Sequence, residues 1–185
     1  MTLTLAATFL PARTLRAAAF LAAYLALASV ALMGLARPAW ALEQPKQRPV
    51  LSISGNIQQT NRDGRALFDM AMLERLPQTT FTTMTPWEKE PITFSGPLLR
   101  DVLAAAGAQG KELRAVALND YRVTIPAEDA TTYRVIVATR IGGQPISVRA
   151  KGPLFIVYPF DSDRKLQSSA YYERSIWQLV ALEVQ

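Results

Sequence analysis

The 185 residues contain no cysteine and no histidine. That removes thiolate nucleophiles, Cys–His pairs, zinc sites of the usual kind and the Ser-His-Asp triad. Hydroxyls, carboxylates, basic side chains and aromatic rings remain. Thr79-Thr80-Phe81-Thr82-Thr83 offers a row of hydroxyls to a polar ligand, although threonine is equally at home in a strand. Trp87 follows Pro86 and precedes Glu88-Lys89-Glu90, which suits either an exposed platform or a cap on the core. Asn119-Asp120-Tyr121-Arg122 presents two hydrogen-bonding side chains and a ring, at a place where Asn and Asp would also make a plain turn. Arg140, Arg149, Lys151 and Arg174 would form an anion site if they converged, but scattered bases on strand faces are usually solvated. Asp161-Ser162-Asp163 lacks the glycine and the distal glutamate of a calcium loop. Asp120, Glu128 and Asp129 supply carboxylates with no spacing that pairs them, and Tyr171-Tyr172 and Trp177 read as packing residues.

The elements that must position these side chains follow from periodicity. Val50–Gly55 alternates apolar and polar residues, as a half-buried strand does. Asp69 is placed to cap a short helix over Met70–Leu76, which Pro77 ends. Thr79–Thr85 and Ile92–Phe94 are β-prone. Pro97 opens the clearest helix, with Leu98, Leu99, Val102, Leu103 and Ala106 on its apolar face and Gly107 at its end. Leu113–Leu118 and Tyr121–Ile125 are strands across the Asn119-Asp120 turn. Tyr133–Ile141 reads as one long strand, returned by Ile146–Arg149 after the Gly142-Gly143 turn. Leu154–Tyr158 is apolar enough for a central buried strand, and Ile176–Val184 ends the chain as another. Two short helices among about eight strands predict a single strand-rich α+β domain over 49–185.

The first 41 residues have a different character. They hold no Asp or Glu, carry Arg13 and Arg16, and then run without charge from Ala17 to Ala36. Arg37-Pro38 breaks the run before Ala39-Trp40-Ala41, a small-x-small exit. This is the make-up of a cleavable secretion signal, expected to be cut after Ala41 and to leave Leu42–Arg48 as a short linker. An uncleaved anchor is the competing reading, since twenty apolar residues can span a bilayer. Removing Arg13, Arg16 and Arg37 from 20 basic residues against 15 acidic ones leaves a net charge of about +2, which is no nucleic-acid footprint. With no disulfide available in an oxidising compartment, the core alone must hold the roughly 144 remaining residues.

In order and spacing, Ser54-Gly55-Asn56, Phe94-Ser95-Gly96-Pro97-Leu98-Leu99, Asn119-Asp120-Tyr121, Gly143-Gln144-Pro145, Gly152-Pro153-Leu154 and Ser175-Ile176-Trp177-Gln178-Leu179 resemble the molybdopterin-binding domain of the sulfite oxidase family, above all its small stand-alone exported members. The resemblance covers nearly all of Pro49–Val184. It implies a mixed α+β fold whose strands and loops surround a pterin pocket, with a molybdenum ion held by one cysteine thiolate and used for oxygen-atom transfer. It also implies where this chain departs. The ligating cysteine's place falls near Thr83, an arginine's at Phe155 and a lysine's at Ile176, and a pocket histidine has no counterpart. A neutral hydroxyl is a poor substitute for a soft, charged sulfur donor. Relatives that carry the cofactor fold before export through the twin-arginine route, whereas Thr14 and Leu15 separate Arg13 from Arg16 here.

The reading is therefore an exported domain of this fold without cofactor, serving as a module that binds a small ligand or a periplasmic or membrane-bound partner protein. A molybdopterin-dependent oxidoreductase with a cysteine-free metal site is the alternative, and enzymatic activity stays open. Hydrolase chemistry has no support in the spacing. The ligand-binding candidates are Thr83, Trp87, Asn119, Asp120, Tyr121, Arg149, Tyr158 and Arg174. Protein recovered from outside the host's cytoplasm should begin at Leu42 on N-terminal sequencing; a chain that keeps Arg37–Ala41 would instead mark an anchor.

Overall fold

In the computed structural model of the chain, which describes residues 42–185, the alternation at the start of the domain produces a strand over Leu51–Gly55 (β1). Its Leu51 and Ile53 face inward and are fully buried. The leader read in Met1–Ala41 lies outside the described residues. Ala66–Phe68 (β2) pairs antiparallel with β1, and the last strand, Leu179–Val184 (β11 in chain order), pairs with it in parallel. The Asn119-Asp120 hairpin joins Glu112–Ala117 (β5) to Arg122–Pro126 (β6), giving a five-stranded sheet in the order β2-β1-β11-β5-β6.

A second sheet holds Gln78–Thr83 (β3), Ile92–Pro97 (β4), Arg140–Ile141 (β8) and Gln144–Pro145 (β9) in that order. A short pair, Ile136–Ala138 (β7) and Phe155–Val157 (β10), runs through the interior with every residue buried, as the apolar run 154–158 predicts. Gly96 is where the second sheet meets this pair. A Cβ there would collide with the Val137 carbonyl, so only glycine lets β4 approach β7 this closely.

Four α-helices fill the gaps among the described residues, twice the number expected. Met70–Arg75 (α1) starts at Asp69, whose carboxylate accepts the Met72 N–H at 2.9 Å, as the capping pattern requires. Leu99–Ala105 (α2) buries Leu99, Val102 and Leu103 and ends at Gly107, with φ +61°. It begins two residues after Pro97, because Leu98 bridges to Ile136 and the Leu99 N–H donates to the Val135 carbonyl. Asp129–Thr132 (α3) and Ser169–Arg174 (α4) were not legible as helices.

Two strand readings need correction. Tyr133–Ile141 is not one strand. Tyr133 closes α3, and the chain changes partners at Thr139, from β10 to β4, where the Thr139 N–H donates to the Ser95 carbonyl. Ile146–Arg149 is not a returning strand either. After Pro145 the chain buries Ile146, and a turn follows in which the Ala150 and Gly152 N–H groups donate to the Ser147 carbonyl.

The stretch read as a linker is docked. Lys46 and Gln47 donate their backbone N–H groups to the second oxygen of Asp69, at 2.8 and 3.0 Å, and Arg75 pairs with Glu43 at 2.7 Å. Asp69 is thus a buried carboxylate with three N–H donors. Burial alone would raise its pKa; the donors and Arg75 outweigh that and hold it below the ordinary value. A depressed folded pKa means that this stability is present above the unfolded pKa of about 3.9 and is lost as pH falls through the folded value. Asp69→Ala should lower the unfolding free energy by about 1–3 kcal/mol at neutral pH in urea denaturation, with the deficit shrinking toward pH 3.

Candidate functional site

Three separate segments meet at the end of the β5–β6 hairpin and enclose a cleft of about 330 Å³. The hairpin turn comes first. Asn119 accepts the Tyr121 N–H on its side chain at 3.2 Å, and Asp120 takes φ +64°, a region Asp enters more readily than most residues. Turn chemistry therefore explains Asn119 and Asp120. The same turn also projects the Asn119 and Tyr121 side chains into the cleft wall. Asp120 lies beside it, exposed, 3.6 Å from Arg122.

The second wall is the end of α4 and the segment after it: Tyr172, Glu173, Ser175, Ile176 and Trp177. Ser175 is buried and donates its hydroxyl to the Tyr171 carbonyl at 2.9 Å, which ends the helix. Ile156 donates to the Ile176 carbonyl, and Phe155 bridges to Trp177, so this wall hangs on β10. Gln178 follows at φ +52°, an unfavourable value for a residue with a Cβ. It is fixed there by its N–H to the Lys151 carbonyl, its amide to the Val148 carbonyl at 2.7 Å, and its own carbonyl to the Leu118 N–H. The Tyr121 hydroxyl reaches the Glu173 carbonyl at 3.4 Å and ties the two walls together.

Trp87 is the third wall, packed on the core and open to the cleft at once. Its half-buried ring lies edge-on to Trp177 at 5.7 Å and packs on Phe155 at 5.8 Å, while it also faces the cleft. Tyr172 and Trp177, read from sequence as packing residues, line the cleft too, and Trp177 remains 38% exposed.

Four of the sequence candidates lie away from the cleft. Tyr158 is fully buried and donates its hydroxyl to Asp129 at 2.7 Å, and Arg174 donates to the same carboxylate oxygen at 3.0 Å. Burial first, then the Asp129 charge, pushes the Tyr158 pKa far above the usual phenol value, so it stays protonated. Arg149 stands exposed on the turn after β9. Thr83 is 1% exposed; its hydroxyl accepts the Asp161 N–H at 3.1 Å and donates to the Met84 carbonyl at 3.3 Å. Asp161 in turn accepts the Met84 N–H at 2.6 Å, closing a clasp between the end of β3 and the segment after β10. The threonine row is spent within its own sheet, Thr80 on Ser95 and Thr82 on Thr93. The bases do not converge: Arg140 pairs with Glu74, Lys151 with Glu88 and Arg174 with Asp129.

These residues do not fit a thiolate-held molybdenum-pterin. No sulfur donor exists in the chain beyond methionine, and the Thr83 hydroxyl, where the resemblance places the ligating sulfur, is already committed to backbone. The buried Thr85 hydroxyl has no partner, but one neutral oxygen is no donor set, and no three acidic side chains gather around a metal-sized space among the described residues. The cleft offers a pterin phosphate no basic side chain, and its one formal charge is that of Glu173.

A comparison with curated proteins found no match. The sequence model of the oxidoreductase molybdopterin-binding domain matches residues 50–160, more than half of the chain, in agreement with the resemblance drawn from its motifs. The chain belongs to the oxidoreductase molybdopterin-binding domain family.

Proposed function

We propose that this chain keeps the family scaffold without the molybdenum cofactor and works outside the cytoplasm as an accessory module, its aromatic cleft taking a small ligand or the side chain of a partner protein. The observation that carries this is the Thr83 clasp. Where the resemblance places the metal's thiolate, the chain has a buried hydroxyl hydrogen-bonded to two backbone groups. Fold and function separate readily, and chemistry depends on the residues of the site.

The cleft supports the binding half of the reading. It is concave and mostly apolar, its hairpin and α4 walls joined by hydrogen bonds and its Trp87 wall by ring packing. Of the five large hydrophobic residues left exposed among the described residues, Tyr121 and Trp177 line the cleft, and Leu118 and Val148 lie in the segments that Gln178 binds together. Exposed apolar surface gathered at one concavity marks an interaction site more often than scattered residues do.

The full chain should be stabilised against heat by a low-molecular-weight fraction of its host's envelope extract. A ligand present at about a hundred times its Kd raises the melting temperature of a chain this size by about 5–10 °C. A Tyr121→Ala, Trp177→Ala double variant should fold, because both side chains are more than a third exposed, and should lose that rise. Equal shifts in both proteins, or none in either, would remove the cleft from the account.

A further inference from the structure

We infer that the cleft selects a small organic cation of the alkylammonium class, held against the rings of Trp87, Tyr121, Tyr172 and Trp177 with Glu173 as counter-charge. This rests on the reading of the cleft as a binding site and names its ligand chemistry. Four aromatic residues from three separate segments border one space. Aromatic faces carry the negative end of the ring quadrupole and attract a cation lying within about 6 Å.

The charges around the space have the matching sign. Glu173 is the one charged residue of the wall; it is exposed and enters none of the ion pairs among the described residues. The two nearest bases each have a carboxylate partner, and of the two Lys151 stays beside a ring of the cleft. Arg174, next in sequence, turns to the buried Asp129, and Lys151 is held by Glu88 at 2.8 Å. Lys151 also shows that a ring of this cleft accepts a cation, because its ammonium lies 5.9 Å from the centroid of Trp87.

Other ligand classes fit less well. An anion would meet Glu173 and no free base, and a neutral apolar molecule would gain nothing from the carboxylate. The volume of about 330 Å³ is at the small end of ligand pockets, which suits an alkylammonium head rather than a large planar cofactor. An alkylammonium reaches such a site either free or as the head of a lipid, and the two sources share the same recognition.

The test is calorimetric titration of the full chain with choline chloride and with 3,3-dimethylbutan-1-ol, its neutral isostere, in a sodium chloride background. Choline should bind at least tenfold more tightly than the isostere. Glu173→Gln should weaken choline by about 3- to 10-fold and leave the isostere unchanged, and Trp177→Ala should abolish both with an unchanged circular dichroism spectrum. Sedimentation with phosphatidylcholine vesicles separates the sources. Binding to vesicles assigns the lipid head, and binding to choline alone assigns a free cation. Equal affinity for choline and isostere, or indifference to Glu173→Gln, would overturn the cation assignment while leaving the cleft a binding site. No choline binding beside a cleft-dependent thermal shift from envelope extract overturns the cation alone; the loss of both signals overturns the site as well.

Discussion

The ring of Phe155 sits where three parts of the molecule meet. It is 1% exposed on the inner strand β10, and it lies 5.8 Å from Phe94 of the second sheet, 5.8 Å from Trp87 and 6.1 Å from Trp177. Such edge-on and tilted contacts add about 0.5–1.5 kcal/mol per pair beyond the area they bury. Two of the three partners are walls of the cleft. The shape of the site therefore depends on an apolar contact in the core, at the position where the resemblance places an arginine. A guanidinium in that space would be a buried charge without a partner, which a protein interior tolerates poorly.

The same exchange of charge for packing recurs nearby. Ile176, where the resemblance places a lysine, is 2% exposed and borders the cleft. Thr83, in the place of the thiolate, links β3 to the segment after β10 through Asp161. Phe155 and Thr83 are engaged within the chain. The domain holds together without a disulfide, and among the described residues every buried polar side chain but that of Thr85 has a partner.

Much of this was legible in sequence where the cause is local. The Asp69 cap, the Asn119-Asp120 turn, Gly107 at the end of α2 and the apolar run of β10 are fixed by neighbours within a few residues, and the structure has all of them. The readings that failed depended on distant partners. Nothing in Tyr133–Ile141 tells that the chain leaves β10 for β4 at Thr139, because Ser95 makes that contact from 44 residues away. Arg174 and Tyr158 look like pocket residues until Asp129 is found between them. Tyr172 and Trp177 look like core, and they are packed, but the face they leave open is set by Trp87, and only folding brings it there. The family resemblance pointed to Thr83, Phe155 and Ile176; the sequence had no means to show that the first two are buried and the third borders a cleft.

If the scaffold is retained and the cofactor is not, the most direct measurement is of the cofactor itself. The mature protein, purified from its own host grown with ample molybdate, should be assayed for molybdenum by mass spectrometry and for pterin by fluorescence after oxidation. The expected result is far less than one molybdenum and one pterin per chain, on a protein that is folded by circular dichroism. Near-stoichiometric amounts of both would contradict the account, and would mean that the family's chemistry proceeds here through a site built without cysteine.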